Sequence, residues 1–277
     1  MLRRSALVAI GLALAVAVPP LATAQDEVPF VVTPDHVTLA MLEIAGVGPR
    51  DHVIDLGSGD GRIVVTAARR FGASGLGVEL VRDLVLKSRD AATRAGVVDR
   101  VEFREQDLFA TDLSRATVVT MYLLPDVNLS LRPRLLALAP GTRIVSHDWD
   151  MGDWQPDRSV RLEVPNKSVG AEKASRVHLW TVPARVDGLW CGREATLRVE
   201  QRFQRFSAML TSRTPAENEP SLVFDGAVAG RRLDSPAPRA MPMEIDADGQ
   251  RLAWLDPRPN AAPRVFTRAD GGRCPPP

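Results

Sequence analysis

At 277 residues, with 45% hydrophobic and 25% charged residues, the chain has an ordinary globular composition and is long enough for one large domain or two. A net charge of +1 gives no global electrostatic case for a nucleic-acid partner. Two cysteines and four histidines show no metal-ligand spacing, so no metal centre is expected.

The first 24 residues read as a targeting segment. Arg3 and Arg4 form a basic start, Ala6 to Val18 an apolar core, and Ala22-Thr-Ala24 a cleavage site before Gln25. The apolar run is short for a membrane span. The expectation is a signal peptide over 1–24 and an exported chain, periplasmic or envelope-associated, with no transmembrane span once the signal is removed. The alternative is an uncleaved anchor that places the same domains outside the membrane. In an oxidising compartment Cys191 and Cys274 either pair or remain free thiols.

The segment Pro29-Phe-Val-Val-Thr-Pro34 reads as extended, because prolines restrict both themselves and their predecessors. Thr33 is placed to cap a helix with Pro34 at its first position. Val37, Met41, Leu42 and Ile44 supply that helix's apolar face. From Asp51 strand and helix alternate. Strands are expected at His52–Leu56, Gly75–Leu80, Val101–Glu105, Val118–Leu123 and Arg143–His147. Helices are expected at Arg62–Phe71, Arg82–Ala95 and Asn128–Leu138. Such alternation makes a parallel sheet with helices on both faces. Val160–Val164 and Val177–Val182 read as an antiparallel hairpin closing its edge.

After Pro183 helical periodicity fades. Short β-like runs appear at Ala195–Phe203, Phe206–Thr211, Leu222–Phe224, Ala227–Ala229, Met243–Ile245, Leu252–Leu255 and Val265–Thr267. The expected division is a sheet domain over 25–184 and a small β-rich domain over 185–277, sandwich or partly open barrel, with a flexible Pro-rich tail.

The stretch Val53-Ile-Asp-Leu-Gly-Ser-Gly-Asp-Gly-Arg62 organises the sheet domain: a strand, a tight glycine loop, then a helix start. Gly57, Gly59 and Gly61 are spaced G-x-G-x-G, not the G-x-G-x-x-G of a dinucleotide site. No Gly-Lys-Ser/Thr follows, so a P-loop is also disfavoured. Asp55 before the loop and Asp60 within it repel a pyrophosphate but suit a ligand carrying an ammonium and a sulfonium. Glu79 ends the second strand, where a carboxylate can accept from ribose hydroxyls, and Asp107 follows the third, within reach of an adenine amino group.

With Asp55-Leu-Gly-Ser-Gly-Asp-Gly61, Gly77-Val-Glu79 and Gln106-Asp107-Leu108, the chain resembles the class I S-adenosylmethionine-dependent methyltransferases over roughly Pro29 to Val182. Within that class, Pro29–Pro34, Asp55–Arg62 and Trp154-Gln-Pro156 resemble the protein-lysine methyltransferase family that modifies the ATP synthase c-subunit and the adenine nucleotide translocase. The resemblance implies a Rossmann-like seven-stranded sheet and S-adenosyl-L-methionine as cofactor. It implies carboxypropyl contacts at Asp55, Gly57, Ser58, Gly59, Asp60 and Gly61, ribose at Glu79, and adenine at Asp107 and Leu108, with Phe30 and Thr33 folded over the cofactor.

The expected reaction is methyl transfer to a protein lysine amine. Two alternatives stand beside it: methylation of a small-molecule or lipid-linked amine, and a catalytically silent exported scaffold whose β domain binds a partner. Where many base and small-amine methyltransferases carry Asn/Asp-Pro-Pro-aromatic, this chain has Tyr122-Leu-Leu-Pro125, which argues against DNA bases. Tyr122 either lines the methyl-transfer channel or packs its strand. His147 is a candidate proton acceptor with Asp148 orienting it, or else a histidine satisfied by neighbouring backbone. Trp149 and Trp154 wall a substrate groove or fill the domain interface. Asp60 can instead cap the following helix, and Asp107 can be a plain loop residue.

Overall fold

The computed structural model describes residues 31–168, 172–214, 220–236, 242–255 and 264–276. The expected signal peptide and Phe30 lie outside them. The first helix, α1, is Asp35–Ile44. Thr33 does not cap it: Pro34 occupies the cap position and no side chain bonds there, which leaves Thr33 one residue too far out.

A sheet unit follows in which strands and helices alternate except between β3 and β4, which only a 3₁₀ turn at Leu108–Ala110 separates: β1 (His52–Leu56), α2 (Arg62–Phe71), β2 (Ser74–Glu79), α3 (Arg82–Ala95), β3 (Val101–Glu105), β4 (Val118–Met121), α4 (Pro125–Leu136) and β5 (Arg143–His147). Strands β6 (Arg158–Glu163) and β7 (Ala174–Thr181) complete it. The seven strands lie in the order β3-β2-β1-β4-β5-β7-β6. β1 to β5 run parallel, while β7 pairs antiparallel with both β5 and β6, as the closing hairpin was expected to. Strand order reverses between β1 and β4, and open α/β sheets bind ligands beyond the carboxyl ends at such a point.

Both sheet faces are covered, so β1 and β4 read as near-continuous apolar runs. Ile54, Leu56, Val119, Met121 and Ile144 pack with Leu131 and Leu135 of α4. On the opposite face Val53, Val118 and Val145 meet Val37, Met41 and Leu42 of α1 and Ile63 and Ala67 of α2. α4 starts earlier than the sequence suggests, because Pro125 supplies its first position. Asn128, read as a helix start, is instead wholly buried; its amide donates to Ser146 Oγ at 3.2 Å and to the Trp149 and Asp150 carbonyls.

The C-terminal strands form a closed eight-stranded antiparallel barrel, neither sandwich nor open barrel: β8 (Gly188–Cys191), β9 (Ala195–Arg202), β10 (Arg205–Ser212), β11 (Leu222–Ala229), β12 (Arg232–Asp234), β13 (Met243–Ile245), β14 (Arg251–Trp254) and β15 (Arg264–Arg268). Closure removes the exposed edges that an open sheet would present. Two of these strands, β8 and β12, carry no clear alternation in the sequence, and two expected short runs merge into β11. Trp190, Phe206, Phe224, Trp254 and Phe266 fill the interior. Cys191 and Cys274 form a disulfide that ties the end of β8 to the tail. The Pro275 carbonyl also accepts from Arg213, so the tail expected to be flexible is anchored up to that point.

Barrel and sheet unit meet at Trp154. Its ring is fully buried and stacks on Phe203, 6.1 Å between centroids and 19° between planes. Phe203 sits at the β9–β10 turn with φ 52°, a region disfavoured for a bulky residue, and the stacking compensates. Gln204 donates to the Gln155 carbonyl at 2.6 Å, and Arg202 pairs with Asp153 at 2.8 Å. Trp154 therefore fills the interface, and Trp149 stays exposed.

Candidate active site

A cavity of about 1210 Å³ opens where the carboxyl ends of the parallel strands converge. Asp55, Gly57, Ser58, Gly59 and Asp60 line one side; Glu79, Asp107 and Leu108 line another; Thr33 and Tyr122 complete the wall. Among the described residues the structure thus brings together all the expected cofactor residues except Gly61, and Phe30 lies outside them. Gly61 sits at the start of α2 with φ 78°, and a Cβ there would meet Phe103 at 2.8 Å and Ser88 at 2.7 Å. Its role is close packing under the loop, off the cavity wall.

The loop's own hydrogen bonds explain why it is no phosphate cradle. The Gly57 and Ser58 amides both donate to the Val78 carbonyl, at 3.0 and 2.9 Å, and the Gly61 amide to the Ser58 carbonyl at 2.9 Å. The Gly59 amide donates to Glu79 Oε2 at 3.0 Å. With these four N–H groups engaged inside the protein, the loop does not offer them to a phosphate. Glu79 Oε1 takes the Leu80 and Val81 amides at 2.8 and 3.0 Å, which fixes the carboxylate at its rim.

Asp55 interrupts the apolar run of β1 and is 2% exposed. Thr120 Oγ1 donates to it at 2.6 Å, but burial dominates, reinforced by Glu79 and Asp60, and pushes its pKa up to about 7. A buried carboxyl poised in this way favours a cationic ligand group. Ser58 Oγ, in the loop that follows, is buried without a hydrogen-bond partner. An orphaned hydroxyl, a poised acid and further acids around the rim fit the ammonium, hydroxyl and amino groups of S-adenosylmethionine. Asp60 both meets the Arg62 amide at 3.3 Å and pairs with the Arg62 guanidinium at 2.6 Å. Arg62 also donates to the Thr33 carbonyl at 2.9 Å, clamping the 31–34 segment against the loop. Asp107 caps the short 3₁₀ turn at 108–110 through Phe109 N at 2.8 Å while remaining on the wall.

The expected catalytic residues arrange differently. Tyr122 lines the cavity, and its hydroxyl donates to Asp148 Oδ2 at 3.0 Å. Burial and the Asp148 carboxylate both raise its pKa, so the phenol stays neutral. His147 is 1% exposed and lies behind Tyr122, ring centroids 3.9 Å apart, away from the wall. Its Nδ1 meets Thr33 Oγ1 at 3.1 Å and its Nε2 meets Ser175 Oγ at 2.8 Å. Burial holds its pKa below the usual range. Both ring nitrogens are engaged by hydroxyls, so His147 anchors the 31–34 segment from behind the cavity wall. Asp148 also stands behind Tyr122, bound to it and to Lys167 Nζ at 2.8 Å.

Sequence reasoning missed Arg62 and Lys167. The Asp60-x-Arg62 spacing inside the loop was a usable signal for the first. Lys167 lies in the β6–β7 connection and only the fold brings it to the site. Among the described residues no group of His, Cys, Asp and Glu can hold a metal ion, and no helix is long and apolar enough to cross a membrane.

Comparison with known proteins agrees with this geometry. Residues 55–158 match the family model described as the ANTKMT methyltransferase domain. A protein-lysine N-methyltransferase of Saccharolobus islandicus is 43% identical over 141 residues, covering 50% of this chain and 88% of that protein. The adenine nucleotide translocase lysine N-methyltransferase of Mus musculus is 38% identical over 105 residues, covering 38% of this chain and 46% of that one. A Salinibacter ruber structure, described as an RNA methyltransferase in complex with S-adenosyl-L-homocysteine, is 52% identical with a TM-score of 0.51, covering 56% of this chain and 96% of that one. The fold and its cavity are those of a class I methyltransferase, with S-adenosylmethionine as cofactor. Within that class the chain belongs to the family defined by the ANTKMT methyltransferase domain.

Proposed function

We propose that the chain methylates the side-chain amine of lysine in a protein, outside the cytoplasm. The observation that carries the acceptor is Tyr122: it lines the cavity and gives its one proton to Asp148, so its oxygen is left only to accept, which suits an amine N–H. The Saccharolobus islandicus relative, named a protein-lysine N-methyltransferase, supports the same acceptor. The reactive methyl comes from the bound cofactor's sulfonium, which is already activated. The chain's own residues hold and align. Asp55 and Ser58 would receive the cofactor's ammonium, Glu79 its ribose hydroxyls, and Asp107 with Leu108 its adenine end. Arg62 and His147 fix Thr33 over the cavity mouth, restricting water.

Export is supported by the basic–apolar–Ala-x-Ala start at residues 3–24 and by the Cys191–Cys274 disulfide, which suits an oxidising compartment. Envelope association belongs to the same reading. The catalytically silent scaffold loses its ground with membership of the methyltransferase family.

Tritium-labelled S-adenosylmethionine, purified chain and cell-envelope extract provide the test. Label that survives nuclease, is released by protease and co-elutes with methyl-lysine is the expected result. Label lost to nuclease identifies an RNA acceptor, as the description of the Salinibacter ruber structure would suggest, and label extracted into organic solvent identifies a lipid-linked or small amine. Either overturns the lysine proposal.

A further inference from the structure

Behind Tyr122 lies a charge pair that alignment and binding leave unused. Asp148 Oδ2 accepts from the Tyr122 hydroxyl at 3.0 Å and from Lys167 Nζ at 2.8 Å. Lys167 gives a second proton to the Ala174 carbonyl at 2.6 Å. Both side chains are largely withdrawn from water, 13% exposed for Lys167 and 11% for Asp148. Asp148 adopts φ 64°, a left-handed conformation unusual outside glycine. Its place does not depend on Lys167, because Oδ1 accepts from the Arg176 amide at 3.0 Å and the Asp148 amide donates to the Arg176 carbonyl at 2.6 Å. Burying a second charge beside an already anchored carboxylate costs desolvation, so the lysine calls for a reason other than holding the turn.

The chemistry of the acceptor supplies one. An amine attacks a methyl group only as the free base, since its ammonium form has no lone pair. A lone carboxylate one hydroxyl group behind the acceptor oxygen favours the ammonium and raises its pKa. The other charged or titratable groups around Asp148 do not offset this. His147 on β5 is neutral, burial lowers the pKa of His178 on β7, the Arg176 guanidinium on β7 is paired with Glu172 at 3.2 Å, and Asp150 farther along the same loop is itself acidic. Among the described residues Lys167 is the cation bonded to the Asp148 carboxylate.

We propose that Lys167 is a charge-compensating, positioning residue for the amine acceptor. It cancels the Asp148 charge, so that Tyr122 offers an incoming primary amine a hydrogen-bond acceptor without offering its ammonium form a counter-ion. Lys167 acts through Asp148 and does not touch the acceptor. The inference rests on the amine reading above and extends it to how that site keeps its nucleophile unprotonated.

The test uses the full chain as wild type, Lys167→Met, Lys167→Arg, and Lys167→Met combined with Asp148→Asn. In the pH dependence of kcat on a lysine acceptor, Lys167→Met is expected to move the acidic limb upward by ~1 pH unit. Lys167→Arg keeps the wild-type position, and the double variant, which removes both charges, returns to it. A purely structural lysine would lower activity at every pH without moving the limb, and the double variant would be worse still. A readout without turnover accompanies it: protein loaded with S-adenosylhomocysteine is titrated with butylammonium chloride at pH 7. Lys167→Met is expected to bind about tenfold more tightly than wild type, and the double variant to return to wild-type affinity. An unmoved limb together with equal ammonium affinity overturns the proposal. Ammonium affinities that change as stated in a chain that methylates no amine support compensation and reject the lysine reading, so the two failures are separable.

Discussion

The sheet unit and the barrel treat buried polar groups in opposite ways. At the carboxyl ends of the sheet strands Thr33, Asp55, Ser58, Thr120, His147 and Ser175 are all buried, and they bond to one another or face the cavity. In the barrel the interior is aromatic and aliphatic, and among the described residues the one buried polar side chain, Gln204, lies at the seam with the sheet unit. A region that keeps costly polar groups buried around an open cavity is built for chemistry. A region whose interior is filled by Trp190, Phe206, Phe224, Trp254 and Phe266 is packed as a core.

Changes on each side of the seam should therefore separate stability from cofactor binding. The largest effect is expected at the seam itself. Trp154→Ala removes a fully buried indole shared by both units and should cost about 4 kcal/mol of unfolding free energy, read by chemical denaturation. If sheet and barrel then unfold in separate transitions, the seam is what couples them. Removing the disulfide with Cys191→Ser and Cys274→Ser reopens a loop spanning a sequence separation of 83 and should cost about 3 kcal/mol. Affinity for S-adenosylhomocysteine, read by isothermal titration, should be unchanged; a loss there would place the barrel in the cofactor site.

Glu79→Ala should have the reverse signature. Cofactor affinity should fall ~30-fold, about 2 kcal/mol, because the proposed ribose acceptor is lost along with a carboxylate that organises three backbone amides. Barrel stability should not move.

The smallest effect concerns protons at Asp55. Its folded pKa, about 7, lies above that of an unfolded carboxyl. The protonated acid therefore contributes stability that is fully present below the unfolded value and is lost as pH rises through about 7. A cofactor ammonium placed against Asp55 lowers that pKa and expels the proton. Titration with S-adenosylhomocysteine at pH 7, in buffers of different ionisation enthalpy, should release about half a proton per site, and Asp55→Asn should abolish the release.

How legible this was in the sequence differs between the regions for a physical reason. In the sheet unit, local patterns carry the structure: apolar runs for buried parallel strands, helical spacing in Arg62–Phe71, and Asp55, Glu79 and Asp107 at strand ends. That was enough to assemble the cavity wall. What stayed hidden depends on contacts between distant segments. Thr33 looked like a helix cap, but its hydroxyl goes to His147, 114 positions away. The end of a strand leaves His147 open as a base or as a satisfied histidine, and only the antiparallel β7 brings Ser175 against it. Lys167 carries no local signal at all. In the barrel, strands of three or four residues such as Arg232–Asp234 and Gly188–Cys191 are too short to show alternation, and closure is a property of the whole set of pairings.

The central claim is that Tyr122 in the sheet cavity presents an acceptor to a protein lysine. Peptide mass spectrometry of envelope proteins tests it most directly, comparing cells that carry the intact chain, cells that lack it, and cells carrying Tyr122→Phe. Methyl-lysine that appears with the intact chain, is absent without it and is strongly diminished in Tyr122→Phe is the expected result. Identical lysine methylation in all three would contradict it.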